Sequence, residues 1–224
     1  MFAFLKKSQY KKTDFCGGGL LDTTSKSLLK NRLFTPPQFV APHRLDFRDM
    51  CIQTDNQNDT PHCAGYATAG MIEVRNWQIR HYPEQISGDD IYREAKVIDG
   101  NNHDGTSLDS AAQAAINLHL IDGKLKFIAN EIDTIKFCIH SHLTFVAGFA
   151  ITNEWNMVNK RTGMIIDYGN NALNRGGHAV LVCGYCQEGV YIQNSWGQSW
   201  GIWGYAIIPW SKVEKQYMYG MVII

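Results

Sequence analysis

The chain has 224 residues, 45% hydrophobic and 19% charged, enough to bury a sizeable core in one domain or a tightly joined pair of lobes. Twenty-one basic residues balance twenty-one acidic ones, so no general field exists for gripping nucleic acid or an anionic membrane. Composition excludes a coiled coil, a collagen-like chain, a disordered chain and a membrane protein, since no run nears the ~18–20 apolar residues of a span. The opening MFAFLKKSQYKKTDF places apolar residues before lysines, the reverse of a secretory signal. A cytoplasmic location is expected, with export by a route not visible in sequence left open.

Residues 1–40 are mixed: lysines, a run of three glycines at 17–19, a Thr/Ser patch and then Pro36 and Pro37, which mark a boundary. The first helix is expected over 63–82. Ala67, Gly70, Met71, Val74 and Trp77 fall at helical spacing, while Glu73, Arg75, Asn76 and Arg80 face away. Pro83 closes it. Ser87 and Asp90 form a capping pattern for a short helix carrying Ile91, Ala95 and Ile98. Ser107 caps a third helix with Leu108, Ala111, Ala115 and Leu118 on one stripe and Gly123 beyond its end. The character then changes. Short apolar segments at 145–151, 178–185, 190–194 and 204–208 read as strands separated by turns. Helices first and strands after predict an α+β fold with two lobes.

Six cysteines stand at 16, 51, 63, 138, 183 and 186, without the dense spacing of a disulfide scaffold. Cys183 and Cys186 form a CxxC between two strands, but no second CxxC or following helix N-terminus makes it a zinc or redox site. They read as ordinary thiols. The histidines at 43, 81, 103, 119, 140 and 142 show no metal-ligand spacing, and His140 and His142 alternate as in a strand. No metal and no cofactor are expected.

Four polar residues carry the chemistry. Cys63 sits where the loop 56–62 meets the first helix, and a helix N-terminus stabilises the thiolate that acts as nucleophile. His178 begins a strand just after Gly176 and Gly177, and Asn194 ends the next. Adjacent strands bring the two together, and the amide oxygen can fix the imidazole tautomer. Gln57 lies six residues before Cys63. Its NH2, with the Cys63 backbone N–H, can bind an oxyanion formed by thiolate attack on a carbonyl. His62 reads as a cleft-rim residue and not as the base.

These residues lie in segments that resemble papain-family cysteine peptidases. NSWGQSWGIWGYAIIP, at 194–209, is similar to the family's Asn-Ser-Trp-Gly block at every fixed position, and GGHAVLVCGY, at 176–185, to its histidine strand. LDFRD, at 45–49, looks like the opening of the mature domain. The likeness covers about residues 41–224. It implies a papain-like α+β fold, with a helical lobe over about 55–125 and an antiparallel barrel-like lobe over about 41–54 and 126–224. The cleft lies between them. It also implies Cys63 as nucleophile, His178 as base and then acid, Asn194 as orienter and Gln57 as oxyanion donor. Trp196 would cover the His178–Asn194 bond, and Gly105 and Thr106 would lie along an extended peptide substrate.

The departures are local. TPHCA, at 60–64, replaces the family's Cys-Gly-Ser/Ala-Cys-Trp/Tyr signature, and His178 follows Cys63 more closely than the usual ~130–150 residues. The half-cystine expected three residues before the nucleophile is Thr60, and NNHDGTS, at 101–107, holds no cysteine to pair with it. Both losses fit a reducing compartment and a bacterial-type variant. The expected partner is a peptide or protein substrate, not nucleic acid or membrane. Residues 1–40 are expected to be an extension able to occupy the cleft and inhibit. Amidase, deamidase or acyl-transferase chemistry at the same site, or a non-catalytic peptide-binding module, are the alternatives.

Overall fold

A computed structural model describes residues 33–166 and 174–224. Residues 1–32 of the extension expected to be able to occupy the cleft lie outside them. Among the described residues are five α-helices: α1 at Cys63–Arg80, α2 at Gly88–Asp99, α3 at Leu108–Asn117, α4 at Ile132–His140 and α5 at Trp210–Gln216. Seven strands accompany them: β1 at Leu45–Asp46, β2 at Leu125–Ile128, β3 at Phe145–Thr152, β4 at Asn174–Tyr185, β5 at Gly189–Gln193, β6 at Tyr205–Pro209 and β7 at Tyr217–Ile223. The expected α+β class is the one observed. None of the described helices is long and apolar enough to cross a membrane.

The strands form one antiparallel sheet in the order β2-β7-β3-β4-β5-β6, with β1 also on β4. Side chains on β4 alternate between two cores, as strand geometry requires. Ala179, Leu181 and Cys183 join the core beneath α1 and α3. Val180, Val182 and Tyr185 join a second core that includes Ile135, Ile139 and Val213 from α4 and α5. His178 lies on this central strand, opposite Phe149 of β3.

The central helix α1 can lie between α2 and the sheet because its contact points lack side chains. A Cβ on Gly65 would fall 2.2 Å from the Gly88 carbonyl oxygen, and one on Gly70 would meet Leu181 and Gln193 at 3.1 Å. This placement corrects one expectation: Glu73 and Asn76 are buried rather than facing solvent. The Glu73 carboxylate accepts the Ile86 N–H at 2.9 Å, and burial pushes its pKa up to about 7.

Both capping serines act as expected. Ser87 Oγ accepts from Asp90 N at 3.2 Å, and Ser107 Oγ accepts from Ser110 N at 3.1 Å. Helix α1 ends two residues earlier than expected, as His81 turns left-handed at φ 53°. Helix α3 also ends before Gly123, with His119 left-handed at φ 55° and Leu118 partly exposed. His140 and His142 are not in a strand; His140 closes α4 and His142 is left-handed. Four elements in the second half were not expected: β2, α4, α5 and β7.

Candidate active site

Cys63 is the first residue of α1 and is fully buried. One turn on, Tyr66 and Ala67 line a small cavity together with Ala179, Asn194 and Ser195. The N-terminal end of α1 therefore abuts the strands that carry His178 and Asn194. The Cys63 sulfur is engaged in a disulfide, whereas Cys51, Cys138, Cys183 and Cys186 are free thiols. Cys183 and Cys186 are buried and place their sulfurs near the Tyr191 and Gly189 carbonyls, at 3.6 Å each.

His178 is 4% exposed. Its Nε2 lies 2.7 Å from Asn194 Oδ1, and the same Oδ1 accepts the Ser195 backbone N–H at 2.8 Å. An oxygen already receiving an N–H identifies the acceptor end of the amide. The His178 proton accordingly sits on Nε2, which leaves Nδ1 as the basic nitrogen. Burial holds the imidazole down at about 4, and the Asn194 bond opposes this. The ring packs between two indoles. Trp196 lies over it at 4.6 Å between centroids, and Trp155 presents an edge at 6.2 Å. Trp196 is in turn packed edge-on against Trp200 at 5.7 Å.

Gln57 is buried on a segment laced to the sheet end. Its N–H donates to the Ser195 carbonyl at 2.8 Å, and Gly197 N–H donates to the Asp55 carbonyl at 2.9 Å. The Ser195 hydroxyl donates to Gln57 Oε1 at 2.6 Å, so the NH2 end is fixed on the other side. That NH2 donates one hydrogen to the Thr60 carbonyl at 2.6 Å and retains a second. Residues 194–196 thus act on the whole site. Asn194 holds His178, Ser195 holds Gln57, and Trp196 shields the imidazole.

His62, beside Cys63, is fixed by α2. His62 Nδ1 lies 2.7 Å from Asp89 Oδ1, and its ring stacks on Tyr92 at 3.8 Å between centroids. Tyr92 also faces the Gly105 N–H. One side chain therefore links the position next to Cys63 with the loop that carries Gly105 and Thr106. Ser195, Asp89, Tyr92 and Lys96 escaped sequence reasoning. Ser195 had a signal, its place inside the Asn-Ser-Trp motif; the α2 residues looked like an ordinary solvated helix face.

No family model matches the chain, and no curated protein is similar to it. Solved structures are. Xylellain, a cysteine protease from Xylella fastidiosa, superposes with a TM-score of 0.74 at 22% identity, over 87% of this chain and 91% of its own. Digestive procathepsin L 3 of Tenebrio molitor larval midgut gives 0.68 at 14% identity, over 86% and 73%. A cysteine protease of Carica candamarcensis, solved with E-64, gives 0.62 at 16% identity, over 80% and 97%. The chain has the papain-like fold.

Proposed function

We propose that the protein is a papain-like cysteine peptidase that hydrolyses peptide bonds through an acyl-thioester. The observation that carries this reading is the double hold of residues 194–196 on His178 and Gln57. A buried His–Asn pair and a buried glutamine on opposite sides of one short strand end suit acyl transfer better than passive binding.

With the Cys63 sulfur reduced, His178 Nδ1 takes its proton and the thiolate attacks the substrate carbonyl. The helix N-terminus and the imidazolium stabilise the thiolate together. Charge moves to the carbonyl oxygen, where the Cys63 backbone N–H and the second hydrogen of Gln57 Nε2 receive it. The tetrahedral species collapses as His178 returns the proton to the leaving amine. Water, deprotonated by His178, then cleaves the thioester and frees Cys63. Asn194 keeps the ring in register, and Trp196 keeps water off the His178–Asn194 bond. Gly105 and Thr106 flank the substrate backbone. Residues upstream of the described region act as an inhibitory extension of the same chain.

The test is a peptide-library cleavage profile of the purified chain under reducing conditions. Cleavage that vanishes in Cys63→Ala and His178→Ala, with fold retained, supports the reading. Thiol labelling of Cys63 without cleavage of any peptide points instead to an amidase or acyl transferase. Gln57→Ala is expected to lower kcat by ~10²–10³ with little change in KM, because the oxyanion exists only along the reaction path. A rise in KM alone would make Gln57 a ground-state contact.

A further inference from the structure

Helix α2 carries a polar stripe that the proposed chemistry does not use. Asp89, Tyr92, Lys96 and Asp99 follow one another at spacings that put them on one helix face. The stripe holds His62 at one end and the loop 101–107 at the other. Lys96 Nζ donates to Asn101 Oδ1 at 2.7 Å, to the His103 carbonyl at 2.6 Å and to the Gly105 carbonyl at 3.1 Å. Three acceptors use all three hydrogens of an ammonium. Asp99, 4.0 Å from Lys96 Nζ, accepts from Thr106 Oγ1 at 2.6 Å and from the Ser110 hydroxyl.

The consequence is a loop held at its turn and at its exit. Gly105 is left-handed at φ 81°, a conformation that suits glycine. The Thr106 side chain is turned back onto Asp99. Its backbone N–H and C=O make no backbone hydrogen bond among the described residues. A fixed donor and acceptor side by side are what an extended peptide pairs with. No cysteine occupies residue 60 or the loop 101–107, so no disulfide between them holds this edge, and side-chain hydrogen bonds from Lys96 and Asp99 do.

We propose that Lys96 is a positioning residue for extended peptide substrates, setting the Gly105–Thr106 edge beside the nucleophile. This rests on the peptidase reading, and one of its readouts does not. Lys96→Met keeps side-chain length and removes the donors. In reduced protein it should raise KM for peptides of four or more residues by roughly tenfold and leave kcat within about twofold, since binding is uniform across the reaction path. Alkylation of Cys63 by a small haloacetamide should be unchanged. Amide exchange at Gly105, whose N–H donates to the Tyr92 hydroxyl oxygen, should accelerate, whether or not any peptide is cleaved. Lys96→Arg should restore much of the protection. Unchanged exchange in Lys96→Met would overturn the inference even with the peptidase reading intact. Faster exchange in a protein that cleaves nothing would retain the loop role and reject the peptidase reading.

Discussion

His178 illustrates how burial sets the chemistry of a single side chain. An imidazole packed between two tryptophans loses the hydration that favours its charged form. Its pKa in the disulfide-bonded protein is lowered from the ordinary 6.5 to about 4. The unfolded chain therefore binds more protons between these two values. The contribution of His178 to stability is full above about 6.5 and is lost as pH falls toward about 4, an effect on the order of 3 kcal/mol. Thermal melts of the non-reduced protein should lose stability over that window, and His178→Gln should flatten the profile there. An unchanged slope in the variant would assign the acid sensitivity to other groups.

At the scale of elements, the site depends on how closely α1 approaches α2. Gly65 and Gly88 meet where any Cβ would collide; one on Gly88 would fall 2.7 Å from the Tyr66 ring. Gly65→Ala must push the helices apart against the Gly88 backbone, costing about 1–3 kcal/mol as overpacking does. Each kcal/mol lowers Tm by about 2–4 °C in a chain of this size. The same shift moves Cys63, two residues away, so kcat should fall with Tm. Gly100 is the control. It is left-handed at φ 63°, with nothing within 4 Å of an added Cβ. Gly100→Ala should lower Tm through backbone strain alone and leave kcat near the wild-type value. Equal loss of kcat in both variants would show that global stability, not helix spacing, governs the site.

At the scale of the molecule, one sheet joins the parts of the site. Strand β7, from the C-terminus, lies between β2 and β3, so the C-terminal end and the middle of the chain share one sheet. The Lys212 ammonium of α5 meets Glu154 in a nearly water-free pocket, tying the last helix to the turn after β3. The chain also holds on upstream of β1. Phe34 N–H donates to the Phe127 carbonyl at 2.8 Å, and Phe39 packs edge-on against Phe137 at 5.0 Å. A truncation that spares this packing removes residues 1–32. It should raise kcat/KM on a small peptide under reducing conditions, and adding the detached segment should inhibit. An unchanged kcat/KM in a well-folded truncation would place the extension away from the cleft.

The local signals in the chain were strong where one residue or one period decides the outcome. Ser87 and Ser107 announce helix starts, short apolar runs bounded by turn residues mark β3 to β6, and the Asn-Ser-Trp block with a cysteine at a helix start points to Cys63, His178 and Asn194. Other short elements gave no such signal. The strand YMYGMVI of β7 follows directly on α5 with no turn residue to mark its start, and α4 begins at Glu131 without a side-chain cap. Tertiary structure alone decided that Glu73 is buried, that Ser195 fixes the Gln57 amide, and that Lys96 winds the loop 101–107 onto α2. Each of these is a contact between segments remote in sequence or a donor meeting several acceptors at once. A periodic pattern records which way a side chain points, but not which polar group waits there.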